Sequence, residues 1–166
     1  TNGWELSLGW RDQIGKEFKY GVRLSISDSQ TRIDRYPNPT NSLDKYLEGE
    51  LIGNIYGYTT IGIAKTQAEM DNHLASLPNG GQTALGDKWE AGDIMYADLN
   101  GDGKISNGAN TMDDMGDLKK IGNDTPRFRT GISLDASWKG IDFSMFWQAV
   151  LKRDFDPGEG SMVFWG

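Results

Sequence analysis

The sequence contains no cysteine, only one histidine and no long hydrophobic run. Without Cys the chain forms neither disulfides nor thiolate metal sites, which leaves its redox compartment open. His73 alone cannot build a standard zinc site, and a Ser–His or Cys–His catalytic pair would have to use this one residue. No stretch approaches the roughly 20 apolar residues that a membrane helix needs. A helical membrane protein is therefore excluded, whereas membrane-crossing strands need only alternate over about 10 residues.

Positive charge is scarce in the middle of the chain. Residues 28–127 hold 16 Asp and Glu against 9 Lys and Arg, so they carry the whole formal net charge of −7, and the remaining residues hold 8 of each sign. Nucleic-acid binding requires Lys and Arg that displace counterions from phosphates. The acidic middle region therefore argues against a nucleic-acid partner.

Alternation of apolar and polar residues predicts four strands in two hairpins. The first hairpin spans residues 4–10 and 18–27 with a short turn at 12–17, and the second spans residues 128–138 and 141–148 with a tight turn at Lys139 and Gly140. Three of these strands have the length of about ten residues that a tilted strand needs to cross a bilayer. We therefore expect an all-β fold of antiparallel transmembrane barrel strands whose apolar rows face lipid: Trp4, Leu6, Leu8 and Trp10; Tyr20, Val22, Leu24 and Ile26; Ile132, Leu134 and Ala136; Phe143, Met145 and Trp147.

Alternation alone fits a soluble β-sandwich equally well. Two further features favour a barrel. Two short turns and one loop of about 100 residues match the short periplasmic turns and long outer loops of outer-membrane barrels. Trp10 and Trp138 each end a strand beside a turn, as residues of an aromatic girdle at one membrane interface do.

The long middle segment has structural signals of its own. Thr66 and Glu69 form a capping box, and Met70, Leu74 and Leu77 line one face of the short helix that it begins. A loop of this size is expected to be ordered and functional. Its tyrosines at positions 36, 46, 56, 58 and 96 suit protein interfaces and sugars.

A local motif at residues 98–106 predicts a bound cation. Asp98, Asn100 and Asp102 occupy positions 1, 3 and 5 of a calcium loop of EF-hand type, Gly103 permits the sharp turn, and the Lys104 carbonyl is the seventh-position ligand. Ile105 is expected to pack beneath the loop. The alternative is a solvated turn rich in Asp and Asn.

The twelfth position of this loop is Ala109, so the usual bidentate carboxylate is missing. We expect Asp113 or Asp114 to replace it in a structural Ca²⁺ site, with Asp117 a third possibility. These three residues also permit a glycosidase hypothesis, but the sequence gives no sign of two opposed catalytic carboxylates. We therefore expect no enzyme activity.

The chain resembles the late barrel region of SusC/RagA-type TonB-dependent transporters of Bacteroidetes-type bacteria. The similar segments are NGWELSLGW (2–10), GDIMYADLNGDGKIS (92–106), IGNDTPRFRTGISLDASWKGIDFSMFWQ (121–148), KRDFDPG (152–158) and FWG (164–166). The resemblance implies a 22-stranded barrel in the outer membrane and a SusD-like surface lipoprotein over its outer mouth. It also implies import of oligosaccharides or oligopeptides, driven through the TonB complex by parts outside this chain.

These expectations divide the chain into a barrel hairpin (1–27), an extracellular loop (28–127), a second hairpin (128–150) and the start of another extracellular loop (151–166). Both ends are expected to continue into a longer protein, and the substrate-binding residues are unknown. The alternative is a soluble, calcium-stabilised extracellular β-domain that binds glycans. Solubility of the isolated chain separates the two, because four amphipathic strands without a closed barrel leave an apolar face exposed.

Overall fold

The computed structural model describes residues 1–155, which form strands and one short helix. The elements in chain order are β1 (Asn2–Ile14), β2 (Phe18–Gln30), β3 (Asn54–Tyr58), β4 (Thr60–Ile63), α1 (Gln67–Ala75), β5 (Ile94–Tyr96), β6 (Leu118–Asn123), β7 (Arg127–Trp138) and β8 (Ile141–Lys152). Among the described residues, no helix has the length and apolar character needed to cross a membrane. The all-β prediction is confirmed.

The chain divides into two compact units. Unit 1 comprises residues 1–32, 51–53 and, within the described part of the chain, 123–155. Unit 2 comprises residues 33–50 and 54–122.

Unit 1 is built on one antiparallel sheet with the strand order β1-β2-β7-β8. Its register aligns the apolar rows of neighbouring strands: Leu8, Leu24, Ile132 and Trp147 form one cross-strand row, and Trp10, Val22, Leu134 and Met145 form the next. Because side chains alternate between the faces of a sheet, these rows share one face. The intervening row of Gly9, Arg23, Ser133 and Phe146 lies on the other face.

The predicted hairpins are present, and their strands are longer than the sequence pattern indicates. β1 continues through Asp12 and Gln13 to Ile14, so the turn is shorter than the predicted 12–17. The backbone of these residues pairs with β2 whatever the side-chain polarity, as the Asp12–Tyr20 pair shows. β8 continues to Lys152, into the segment predicted to begin a loop, and residues 156–166 of that segment lie outside the described part of the chain.

The second hairpin closes through a two-residue turn in which both residues have positive φ, 49° at Lys139 and 85° at Gly140. This is the turn geometry whose twist matches that of paired strands. The tight turn predicted here is confirmed. The register places Trp138 opposite Phe18 and Trp10 opposite Val22, so the two tryptophans are offset by four positions rather than side by side.

Unit 1 has an apolar face without an apolar core. Among residues 1–155, the buried hydrophobic side chains all belong to unit 2: Leu47, Ala64, Met70, Leu77, Met95 and Ile105. On the sheet of unit 1, by contrast, Trp10 is 60% exposed and Ile141 is 67% exposed. A sheet of a soluble protein buries its apolar face, so this exposure argues against the β-sandwich alternative.

Unit 2 has more regular structure than the sequence predicts. The capped helix is confirmed: Thr66 is its N-cap, with a side chain that accepts a hydrogen bond from Glu69 N at 3.2 Å. Met70 is buried and Leu74 packs against the core, whereas the helix ends at Ala75, so Leu77, which was predicted to lie on its apolar face, is buried just beyond the helix end. The sequence analysis missed the two small sheets, β3-β6 and β4-β5, because their strands are three to six residues long and alternate weakly.

Candidate functional site

The loop after β5 is wound tightly by hydrogen bonds between its own Asp and Asn side chains and its backbone. Both carboxylate oxygens of Asp98 accept backbone hydrogen bonds, from Gly101 N at 2.7 Å and Gly103 N at 2.8 Å. Asn100 Oδ1 accepts from Asp102 N at 3.0 Å. Asx side chains that accept backbone N–H groups a few residues ahead wind the chain into a tight loop. Gly103 has φ +79°, which permits the sharp turn predicted for it.

Asp117 connects the two ends of this loop. Its carboxylate is fully buried and accepts hydrogen bonds from Leu99 N at 2.7 Å and Ser106 N at 2.8 Å. Ligand oxygens of Asp98, Asp102 and Asp117 all lie within 4.8 Å of one another. Three carboxylates at this spacing repel one another, and a hard divalent cation, which prefers carboxylate oxygens, offsets that repulsion.

The other two late carboxylates lie outside this group. Asp114 accepts hydrogen bonds from Ala109 N at 3.0 Å and Gly116 N at 3.2 Å, so it shapes the turn that leads to Asp117. Asp113 is exposed. The structure therefore brings together Asp98 and Asp102 of the predicted ligands with Asp117, which was the third possibility for the late carboxylate.

The segment after α1 supports the loop from a second side. Asn79 N donates to Gly103 O at 2.8 Å, and Asn79 Nδ2 donates to Asp102 O at 2.6 Å. Ile105 N donates to Gly81 O at 2.7 Å, and Ile105 is buried beneath the loop as predicted. The contact of residues 79–81 with this loop could not be predicted, because nothing in the local sequence pattern shows which distant loop they meet.

Aromatic rings lie close to this site. Tyr58 and Tyr96 pack edge to face with centroids 5.6 Å apart, and Trp89 packs against Tyr96 at 6.3 Å. Burial raises the pKa of Tyr58, and the Asp117 charge raises it further. Tyr58 therefore stays neutral over the physiological range and adds no charge beside the carboxylates.

The sheet of unit 1 is a second candidate functional surface, with two chemically different faces. One face carries the exposed apolar rows. The other carries Arg11, Arg23 and Asp135, which line a shared depression of about 410 Å³. Phe146 is an apolar exception on this polar face and is 63% exposed. A sheet that is apolar on one face and charged on the other matches the wall of a barrel between lipid and an aqueous lumen.

The chain is similar to a curated protein along most of its length. It is 28% identical over 164 residues to TonB-dependent receptor P3 of Formosa agariphila, an alignment that covers 91% of this chain. The chain is related to the TonB-dependent receptors. No protein-family model matches it. The alignment covers 15% of the Formosa receptor, so the chain spans a small part of the length of this relative.

The TonB-dependent receptors are outer-membrane proteins, and this relationship agrees with the paired amphipathic strands of unit 1. The described residues contain two surfaces that a function must account for, the sheet of unit 1 and the carboxylate loop of unit 2, which comprises residues 98–106 together with Asp117.

Proposed function

We propose that this chain forms part of the barrel wall and one extracellular loop of a TonB-dependent importer of the outer membrane. The observation that carries the proposal is the aligned, exposed apolar face of the unit 1 sheet. Lipid is the environment that removes the cost of exposing such a face to water. The polar face then borders the lumen or the plug of a larger barrel, which the family resemblance gives as 22-stranded.

The importer takes up oligosaccharides or oligopeptides and receives energy from the TonB complex through parts outside this chain. Residues 28–127 lie on the extracellular side, where they meet a SusD-like lipoprotein or border the substrate path. The acidic charge and the internal structure of this region support a role beyond covering the barrel rim, because a long loop with its own core has a fixed surface to present. The segments 1–27 and 128–150 are the barrel hairpins that carry it.

The carboxylate loop holds a structural Ca²⁺ ion. Asp98, Asn100, Asp102 and the Lys104 carbonyl supply the early ligands, and a late carboxylate completes the set. The grouped carboxylates support Asp117 in this role, while the predicted ligands Asp113 and Asp114 are the alternatives that substitution tests. When bound, the ion neutralises the clustered charge and orders the loop.

The barrel assignment is tested by placing a charge on each face of β1 in the full-length receptor. Leu8 stands on the apolar face and is 55% exposed, and its neighbour Ser7 points to the other face. Leu8→Arg is expected to cost about 2–4 kcal/mol if it faces the bilayer midplane. Ser7→Arg, the matched control, is expected to cost far less because it faces the lumen.

The readouts are the amount of receptor in the outer-membrane fraction and the shifted mobility of the folded barrel on unheated gels. Assembly should fall for Leu8→Arg and persist for Ser7→Arg. Equal assembly of the two variants would contradict the lipid-facing assignment.

A further inference from the structure

A groove of about 700 Å³ lies within unit 2, in the segment before β3. Its lining consists of Tyr36, Pro37, Asn38, Pro39, Asn41, Leu47, Glu48, Glu50 and Met112. This volume is in the range of small-molecule sites. Within the described part of the chain, this lining contains two carboxylates and no cationic side chain.

Local contacts hold the groove in shape. Asn38 is nearly buried, and its side chain bonds only to backbone: Nδ2 donates to Ser42 O at 2.9 Å and to Tyr46 O at 3.3 Å, and Oδ1 accepts from Ser42 N at 3.0 Å. Pro37 and Pro39 restrict the backbone on either side of it. The groove is therefore preformed, which lowers the entropic cost of binding.

The two carboxylates differ in whether their negative charge is available to a ligand. Glu50 is neutralised by Lys120, with Oε2 3.0 Å from Nζ, and it also accepts from Asn54 Nδ2 at 2.7 Å. Glu48 is exposed and oriented by Tyr36 N, which donates to Oε1 at 3.0 Å, and it forms no salt bridge with a Lys or Arg among residues 1–155. Glu48 is thus a positioned and uncompensated negative charge at the groove.

Apolar side chains make up four of the other seven lining residues. Pro37, Pro39, Leu47 and Met112 provide aliphatic surface, and the Tyr36 ring is held edge to face against Tyr46 at 5.3 Å. The amide of Asn38 is already used by backbone, so the Asn41 side chain and the Tyr36 hydroxyl are the neutral polar groups left in the lining, few for the many hydroxyls of a sugar. One anchored negative charge beside aliphatic and aromatic surface suits a ligand with one cation and apolar flanks.

We propose that this groove binds a cationic group of an oligopeptide, a lysine side chain or an amino terminus, with apolar residues beside it. The cation pairs with Glu48 and lies near the Tyr36 ring, which also attracts cations. The proposal rests on the import function and narrows its substrate class to basic oligopeptides at this groove.

Calorimetry on the purified full-length receptor tests the groove without requiring uptake or TonB. The probes are the blocked tripeptides acetyl-Leu-Lys-Leu-amide and acetyl-Leu-Gln-Leu-amide, with maltotriose as the glycan probe. The lysine peptide should bind about tenfold more tightly than the glutamine peptide, because only the former forms a charged hydrogen bond with Glu48. Equal binding of the two peptides, no binding, or tighter binding of maltotriose overturns the proposal.

The variant Glu48→Gln keeps an oxygen that accepts from Tyr36 N but removes the charge. It should weaken the lysine peptide about tenfold and leave the glutamine peptide unchanged. The matched control is Asp44→Asn, an exposed carboxylate of the same loop that does not line the groove. Equal effects of Glu48→Gln and Asp44→Asn overturn the proposal.

The groove proposal and the barrel proposal can fail independently. If the expected differences in peptide binding are not observed while Leu8→Arg still blocks assembly, the groove assignment is wrong and the barrel assignment stands.

Discussion

At the residue scale, local sequence spacing predicts some residues of the carboxylate loop but not all of them. Asp98, Asn100 and Asp102 were found from sequence because the ligands of an EF-hand-type loop follow one another at fixed short intervals. Asp117 could not be ranked above Asp113 and Asp114 in the same way. Its burial depends on how the turn shaped by Asp114 folds back onto the loop, and that is a tertiary property.

We predict that Asp117→Asn lowers Ca²⁺ affinity of the full-length receptor at least tenfold, because it removes the buried carboxylate of the group. Asp113→Asn is the matched control and should leave affinity unchanged. Calorimetry with Ca²⁺, or protection of residues 98–106 from hydrogen exchange with and without Ca²⁺, measures both variants. If Asp113→Asn or Asp114→Asn lowers affinity and Asp117→Asn does not, the late ligand is the residue first predicted.

At the element scale, alternation identified all four long strands but not their ends. A period-two pattern reports which residues face water or an apolar medium, whereas backbone pairing continues past the last alternating residue, as at Asp12 and Gln13. Phe146 is an apolar residue on the polar face of β8. The structure places its ring beside Gly131, where an added Cβ would lie 3.4 Å from the ring. The small glycine thus leaves room for the aromatic residue across the strand pair.

We predict that two glycines on the polar face of adjacent strands respond differently to alanine. A Cβ at Gly21 would lie 2.6 Å from the Asp135 carboxylate, whereas a Cβ at Gly9 would meet nothing within 4 Å. Gly21→Ala should therefore lower the temperature at which the folded receptor loses its shifted mobility on gels, by displacing Asp135. Gly9→Ala should match the wild type, and equal behaviour of the two variants would show that the crowding at Gly21 is relieved at no cost.

At the scale of the whole molecule, the two units differ in how they are stabilised. Unit 2 has a small core around Ala64, Met70 and Met95, so its shape is maintained by its own packing. The sequence indicated this only in part, through the capped helix, because core contacts such as Met70 with Met95 join residues 25 positions apart. Unit 1 has hydrogen-bonded strands and no comparable cluster among the described residues.

We predict that the loop can be altered without loss of the barrel. Replacing residues 34–48 by a short Gly-Ser linker in the full-length receptor removes the groove and keeps the contacts of residues 79–81 with the carboxylate loop. Barrel assembly should persist, while the proposed association with a SusD-like lipoprotein and the proposed peptide uptake should fall. Lipoprotein co-purification and uptake at wild-type levels would mean that this part of the loop only covers the rim.

The order β1-β2-β7-β8 leaves β1 and β8 as the outer strands within residues 1–155. Each exposes a row of backbone N–H and C=O groups over 12 or 13 residues, next to an apolar face. Such an edge is a template on which a second chain adds as a strand. The isolated segment is therefore expected to form β-rich aggregates in water at the concentrations used for purification. In the proposed barrel, these two edges pair with neighbouring strands, and until that pairing forms they stay open to association with another copy of the chain.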